Sequence, residues 1–244
     1  MRVASIAAAF VAAATLFCKI DPAAADMLED APAEPTLLYF SGLDLWHQGG
    51  FLHGGLLWSP QGLEKEGFTL KLMVGSGAYR YVSGVLGDVE VIGSQFSGSV
   101  MPGWRFKRAG FEVTTFAGPD FQDHRLSPDD PTNKIRGSHA GLRSGFDLWH
   151  EPTRTTMMAL DASVSSIGGS YTAHGALGWR AFDRFYVGPE VATQASDNYR
   201  QYRFGFHMTG LKTEKFEITA ALGSARDSSR HQGVYGRLSL VARR

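Results

Sequence analysis

From Phe185 to Val241 apolar and polar residues take turns in steps of two through four successive segments. Phe185, Val187 and Val191 alternate with Tyr186, Gly188 and Glu190. Tyr202, Phe204, Phe206 and Met208 alternate with Arg203, Gly205 and His207. Phe216, Ile218, Ala220 and Leu222 then alternate with Glu217, Thr219 and Gly223, and Val234, Leu238 and Leu240 with Tyr235, Arg237 and Ser239. Successive side chains of a strand point to opposite faces, so each segment has one apolar and one polar face. Strands of soluble domains usually run ~5–6 residues. These segments approach the ~9–11 residues a tilted strand needs to cross a bilayer. Their polar face carries full charges and glycines, which suits a wet or hydrogen-bonded lumen. The pattern predicts an all-β fold, an antiparallel transmembrane β-barrel of outer-membrane type. A soluble periplasmic β-sandwich that binds glycan is the competing architecture.

The same reading extends upstream. Leu37 to Trp46, Phe51 to Trp58 and Phe68 to Gly75 read as strands, followed by a less regular stretch from Tyr81 to Phe106. Pro102 in that stretch lacks a donor N–H and fits near a strand end. Phe111 to Phe116 alternates again. Gln122 to Gly137 is polar, holds two prolines and reads as a loop, and hairpins follow from Ala140 to Arg180. The count is about twelve strands over residues 37–244. With both ends in the periplasm, the turns Lys107–Gly110, His150–Arg154, Ala181–Arg184 and Leu211–Lys215 fall on that side and are short. Gln122–Gly137 and Arg226–Gln232 fall outside and are longer. Gly103-Trp104-Arg105 resembles Gly178-Trp179-Arg180, Gly118-Pro119-Asp120 resembles Gly188-Pro189-Glu190, and Leu57-Trp58 resembles Leu148-Trp149. The shared order fits either a duplicated four-strand unit or recurrent barrel geometry alone.

Residues 1–25 read as a secretory signal peptide: Arg2, an alanine-rich apolar run, then Ala23-Ala24-Ala25 before a cut near Ala25. Residues 26–36 are acidic and proline-bearing, a disordered periplasmic leader. Export without a later apolar helix leaves the periplasm, the outer membrane or the exterior. Cys18 is the only cysteine and falls within the signal, so the mature chain has no disulfide. Equal numbers of basic and acidic residues (24 each) give no argument for a nucleic-acid partner.

The inward face carries Lys71, Glu112, Asp120, Arg143, Asp147, Asp161, His174, Arg180, Glu190, Arg203, His207, Glu217 and Arg237. Both signs occur in similar number, as expected of charges that pair across the lumen, because an unpaired buried charge is costly. The alternative is a polar lining for a hydrophilic molecule such as a glycan. Barrels of about eight strands are filled by side chains and those of about 16–18 leave an aqueous channel, so about twelve predicts a narrow or plugged pore. Trp46, Trp58, Trp104, Trp149 and Trp179 fall at strand ends, where tryptophan sits at the membrane interface. A barrel hydrolase acting on lipid or polysaccharide would need a nucleophile beside an oriented base. Ser163, Asp161, His174 and His207 form no recognisable local motif. The eight histidines lack metal-ligand spacing, so neither metal nor other cofactor is expected. His124, His139 and His231 read as solvated loop residues.

Longer strings carry a family resemblance. Met101 to Phe106 (MPGWRF), Phe116 to Pro128 (FAGPDFQDHRLSP), Ser166 to Tyr171 (SIGGSY), Tyr186 to Glu190 (YVGPE) and the Ser196-Asp197 to Arg203 stretch are similar to the bacterial cellulose-biosynthesis protein BcsS family. The resemblance spans about Leu37 to Arg244. It implies a non-catalytic outer-membrane component working beside a cellulose synthase, with outer-membrane lipid, a glucan chain and other cellulose-synthase subunits as partners. It brings no catalytic residues.

Overall fold

The computed structural model describes residues 34–196, 199–229 and 231–244. Twelve antiparallel strands close into a barrel: β1 Leu37–Trp46, β2 Gly49–Trp58, β3 Gly67–Ser83, β4 Val89–Arg108, β5 Phe111–Ser127 and β6 Gly137–Thr153, then β7 Thr156–Ser165, β8 Tyr171–Ala181, β9 Phe185–Ser196, β10 Tyr199–Lys212, β11 Glu217–Asp227 and β12 Gln232–Arg243. Each strand pairs with its neighbours in sequence, and β1 closes the ring by pairing with both β2 and β12. The alternation decides which way each strand faces. Val74, Phe96, Val100, Phe121, Leu142, Val191, Phe204, Phe206, Leu222 and Leu238 stand exposed on the outside. Their intervening neighbours turn into the lumen. So large an apolar belt is stable only against lipid. The expected signal peptide lies outside the described residues. So does all of the leader but Glu34 to Thr36, and these three are ordered: Glu34 pairs with Lys65 at 2.8 Å, and Thr36 accepts a bond from the Ser59 amide.

Strand lengths are uneven. β3 to β6 run 17–20 residues, whereas β1, β2 and β7 run ten. The long strands project beyond the belt at the rim opposite the termini, where polar residues enter the outward face (Ser76, Arg80, Ser94, Asp123 and Ser138) beside exposed Val82 and Ile92. The segment expected to be a loop from Gln122 is therefore strand as far as Ser127, and only 128–136 connects β5 to β6. That connection folds back over the inner face of the projection. The Tyr81 hydroxyl donates to Asp130 (3.1 Å), and the Asn133 amide donates to Tyr81 (3.1 Å). Ile135 of the connection and Val91 of β4 are both buried. The expected sorting of short and long turns holds only in part: the connection over 59–66 lies on the termini side, and the two-residue turn at 47–48 lies opposite.

Pro102 sits in the body of β4, not near its end. The β4–β5 ladder lapses between the Ser99↔Asp120 and Gly103↔Phe116 pairs, while β3–β4 pairing runs through Leu70↔Pro102 unbroken. Pro119 lies in the same lapse, so two missing N–H donors share one seam. Pro189 repeats the arrangement at the β8–β9 seam, between Ala176↔Glu190 and Trp179↔Val187. Glycine lets the strands touch there: a Cβ on Gly118 would lie 2.0 Å from the Val100 carbonyl, and one on Gly188 would lie 2.0 Å from the Leu177 carbonyl.

Trp58, Trp104 and Trp179 face outward near the termini-side rim and are 40–56% exposed. Trp46 and Trp149, expected beside them at the interface, face the lumen instead. Trp46 lies against the Arg203 guanidinium (5.1 Å to the ring centre), and the Trp149 indole N–H donates to Glu151 (3.0 Å). Each is an even number of residues from an inward carboxylate, Asp44 and Asp147, and strand parity overrides the preference of tryptophan for the interface.

Two predictions follow from this arrangement. In variants keeping one tryptophan each, brominated lipid quenches emission from Trp58, Trp104 and Trp179 and spares Trp46 and Trp149. Gly118→Ala or Gly188→Ala forces a backbone shift costing about 1–3 kcal/mol. The heat-modifiable folded band on a gel is then lost at lower denaturant than for wild type.

Candidate functional site

The polar residues gather in the lumen, and long side chains join strands three apart in the ring. On one side, the Lys71 ammonium (β3) lies 2.8 Å from Asp147 (β6) and 4.6 Å from the Phe116 ring centre. Opposite, Arg203 (β10) reaches Asp44 (β1) at 2.6 Å and donates to Gln201 at 2.7 Å. Between them, Arg237 (β12) reaches Glu190 (β9) at 2.5 Å. Tyr235 donates to the other Glu190 oxygen at 2.7 Å. Its ring lies where a Cβ on Gly205 or Gly223 would meet it within 3 Å, so these glycines make its seat. His174 completes this cluster: Nδ1 lies 2.8 Å from Asp161, and Nε2 lies 3.0 Å from Arg237 and 3.3 Å from Glu190.

A second cluster surrounds Asp120. Arg143 grips both its oxygens at 3.1 Å, Ser165 donates at 2.6 Å and Gln122 at 2.9 Å. A bidentate arginine–carboxylate pair adds geometric fixity as well as energy. The chain of contacts continues outward: Gln122 meets His124 at 3.2 Å, and His124 meets Tyr79 at 3.1 Å. His124 is only 3% exposed, so it is a packed strand residue and not the solvated loop residue expected. His231 is half-exposed beside Asp227 at 3.3 Å, and His139 bonds the Arg136 carbonyl at 2.9 Å.

The remaining expected lumen residues lie apart. His207 is bonded to Thr209 (2.8 Å) and the Leu177 carbonyl (3.0 Å). Arg180 stacks on and donates to Tyr186 near the termini-side rim, with Glu151 at 3.9 Å. Glu217 pairs with Arg243 at 2.9 Å on the same rim. The lumen is not uniformly closed. Asp147 and Asp161 are direct cross-strand neighbours, yet their side chains are 48% and 49% exposed. Like charges so placed repel, and water reaching both, with Lys71 and His174 on their flanks, relieves this. Asp44, Tyr235 and Gln201 belong to the site but were not singled out from the sequence. Their signal was strand parity with Arg203, Arg237 and their neighbours.

No hydrolytic arrangement is assembled among these groups. Both nitrogens of His174 face charged partners and neither faces a hydroxyl, and Ser163 meets Thr172 and Arg143 rather than a base. His207 has a hydroxyl beside it but no carboxylate to orient it. Among the described residues no three His, Cys, Asp or Glu side chains are grouped to hold a metal.

An apolar belt around a closed, antiparallel, twelve-stranded ring defines the class: an outer-membrane β-barrel. Solved structures share this architecture. An outer membrane channel from Pseudomonas putida F1 is 12% identical and superposes with a TM-score of 0.53 over 93% of this chain and 100% of its own. The TodX deltaS2S3 mutant monoaromatic hydrocarbon channel is 8% identical, with a TM-score of 0.53 over 86% of this chain and 90% of its own. No curated relative matches the sequence. The chain belongs to the cellulose biosynthesis protein BcsS family, matched over residues 38–244. It is thus a barrel associated with cellulose biosynthesis, and its family is not one of enzymes.

Removing one partner of a buried charge pair costs about 3–5 kcal/mol, and replacing the whole pair by apolar groups costs far less. Glu190→Ala therefore lowers the urea midpoint of the vesicle-embedded barrel steeply. Combining Glu190→Leu with Arg237→Leu restores most of the loss.

Proposed function

We propose that this protein is a non-catalytic outer-membrane accessory of cellulose production that anchors the secretion machinery, and that it is not a free conduit for glucan. The observation that carries this reading is the set of three ties across the lumen, Lys71–Asp147, Asp44–Arg203 and Glu190–Arg237. A glucan chain threading the barrel must displace them, and parting the two buried ties, Asp44–Arg203 and Glu190–Arg237, leaves charges unpaired at several kcal/mol each. The termini-side rim supports the same reading. The connection over 59–66 folds back so that Leu63 is buried with Leu57, Met101 and Phe116, and its carbonyl accepts from Arg105. Lys107 pairs with Glu64 (2.5 Å) and Glu112 (3.1 Å), and Arg108 pairs with Glu66 (2.9 Å). The result is a fixed, mixed-charge surface that faces the periplasm when both termini lie there. Cellulose-synthase subunits in the periplasm are the partners we assign to it, with residues 26–36 as a further acidic contact.

The test compares conductance with polymer output. In planar bilayers the wild-type barrel passes little current, and Lys71→Ala with Asp147→Ala raises it. In cells lacking the gene, secreted cellulose falls and is restored equally by the wild type and by that double variant. Passage of labelled cello-oligosaccharide through the wild-type barrel into liposomes, at rates that the lumen variants change in step with cellulose output, would overturn the anchoring role.

A further inference from the structure

On the outer wall, beyond the apolar belt at the rim opposite the termini, two arginines stand on adjacent strands. Parity fixes their direction: Gln201, Ala225 and Asp227 are buried inward, so Arg200 on β10 and Arg226 on β11 point out, and both are exposed. Arg226 lies directly opposite Tyr202, which is outward and 54% exposed. Arg200 shares a cross-strand row with Ala195 and Tyr171. Arg200 and Tyr202, two residues apart, share the outward face of β10. Directly below lie Phe204, Phe206, Leu222 and Val191, the most lipid-exposed part of the belt on this side. Arg200 is four residues past Phe204, roughly 13 Å along the strand. Tyr202 lies between them, outward at the edge of the apolar belt, the position interfacial tyrosines take.

Four other exposed arginines are committed to carboxylates, whereas Arg80 on the outward face of β3 and Arg154 and Arg184 in termini-side turns have none within 4.0 Å and no second arginine facing out beside them on an adjacent strand. Arg108 pairs with Glu66, Arg125 with Asp123, Arg136 with Asp129 and Arg243 with Glu217. Among the described residues, Arg200 and Arg226 have no carboxylate within 4.0 Å. Two free guanidinium forks, two interfacial tyrosine hydroxyls and an apolar floor match one ligand chemistry: a phosphate ester carried on acyl chains. The floor takes the chains and the forks take the phosphate oxygens.

We infer that Arg200 and Arg226, with Tyr171 and Tyr202, form a binding site for the phosphate of a membrane lipid on the outer wall of the barrel. The site goes beyond the anchoring role proposed above and stands separately from it, since phosphate-lipid binding and cellulose output are measured independently.

The test uses the full chain in detergent micelles, its fold checked by heat modifiability, with diphosphoryl lipid A as probe. Native mass spectrometry reads retention. Dephosphorylating the probe, or changing Arg200→Gln with Arg226→Gln, lowers retention about tenfold or more. Arg108→Gln on the opposite rim leaves retention unchanged, and inorganic phosphate at equal concentration does not compete. Equal retention of the phosphorylated and dephosphorylated probe, indifference to the double variant, or competition by inorganic phosphate would each overturn the assignment.

Discussion

Hydrocarbon offers no hydrogen-bond partner, so each backbone N–H and C=O crossing a bilayer must be paired within the protein. Every other feature of this barrel answers to that condition. An open sheet would leave two edges bare, and β1 pairing with both β2 and β12 removes them. Closure then sorts the side chains, because alternate residues must meet lipid and the rest must meet one another. The polar half of the sequence has nowhere to go but the lumen. A twelve-stranded lumen is too wide for side chains of neighbouring strands to fill alone. Charges of opposite sign therefore meet over three strands, and lysine and arginine are the residues long enough to do it.

The two ladder lapses show how the same condition is relaxed without exposing an edge. At β4–β5 and at β8–β9 a Gly-Pro pair sits opposite a strand whose carbonyl nearly touches the glycine. Proline has no N–H to satisfy, and glycine lets the backbones close the gap. The acid that follows, Asp120 or Glu190, points inward and becomes the hub of a cluster. Trp104 and Trp179 lie outward one strand away in both cases, with Arg105 and Arg180 inward beside them. The correspondence spans β4–β5 and β8–β9, four strands apart, and either duplication or recurrent barrel geometry accounts for it. The third apparent match fails: Trp58 faces lipid, whereas Trp149 faces the lumen.

Strand number and facing were legible from the sequence because apolar and polar residues contrast wherever one face meets lipid. Where the contrast vanished, so did the signal. Gln122 to Ser127 is strand, but it lies in the projection where both faces are polar, and His124 was hidden with it. Trp149 is instructive in another way. Its place two residues after Asp147 turns it inward, and strand parity outweighs the preference of tryptophan for the membrane interface. Pairing partners inside the lumen were not legible at all. That Lys71 meets Asp147 and not another of the inward acids depends on the curvature and stagger of the closed ring. No spacing in the chain encodes either one locally.

The ties also decide where water can go. Glu190 and Asp120 are almost wholly buried and fully bonded, so the lumen beside β5 and β9 is dry. Asp147 and Asp161 point into the same lumen from β6 and β7 and remain half-exposed. Their repulsion is tolerable only with solvent between them, which makes the β6–β7 side a wet recess flanked by the bonded acids of β5 and β9. On the termini side, Leu63 packs with Leu57, Met101 and Phe116 against the inner face of β2, β4 and β5. A lumen wet along one wall and cross-linked through its centre is a stiff hollow post that admits water without giving a polymer a straight path.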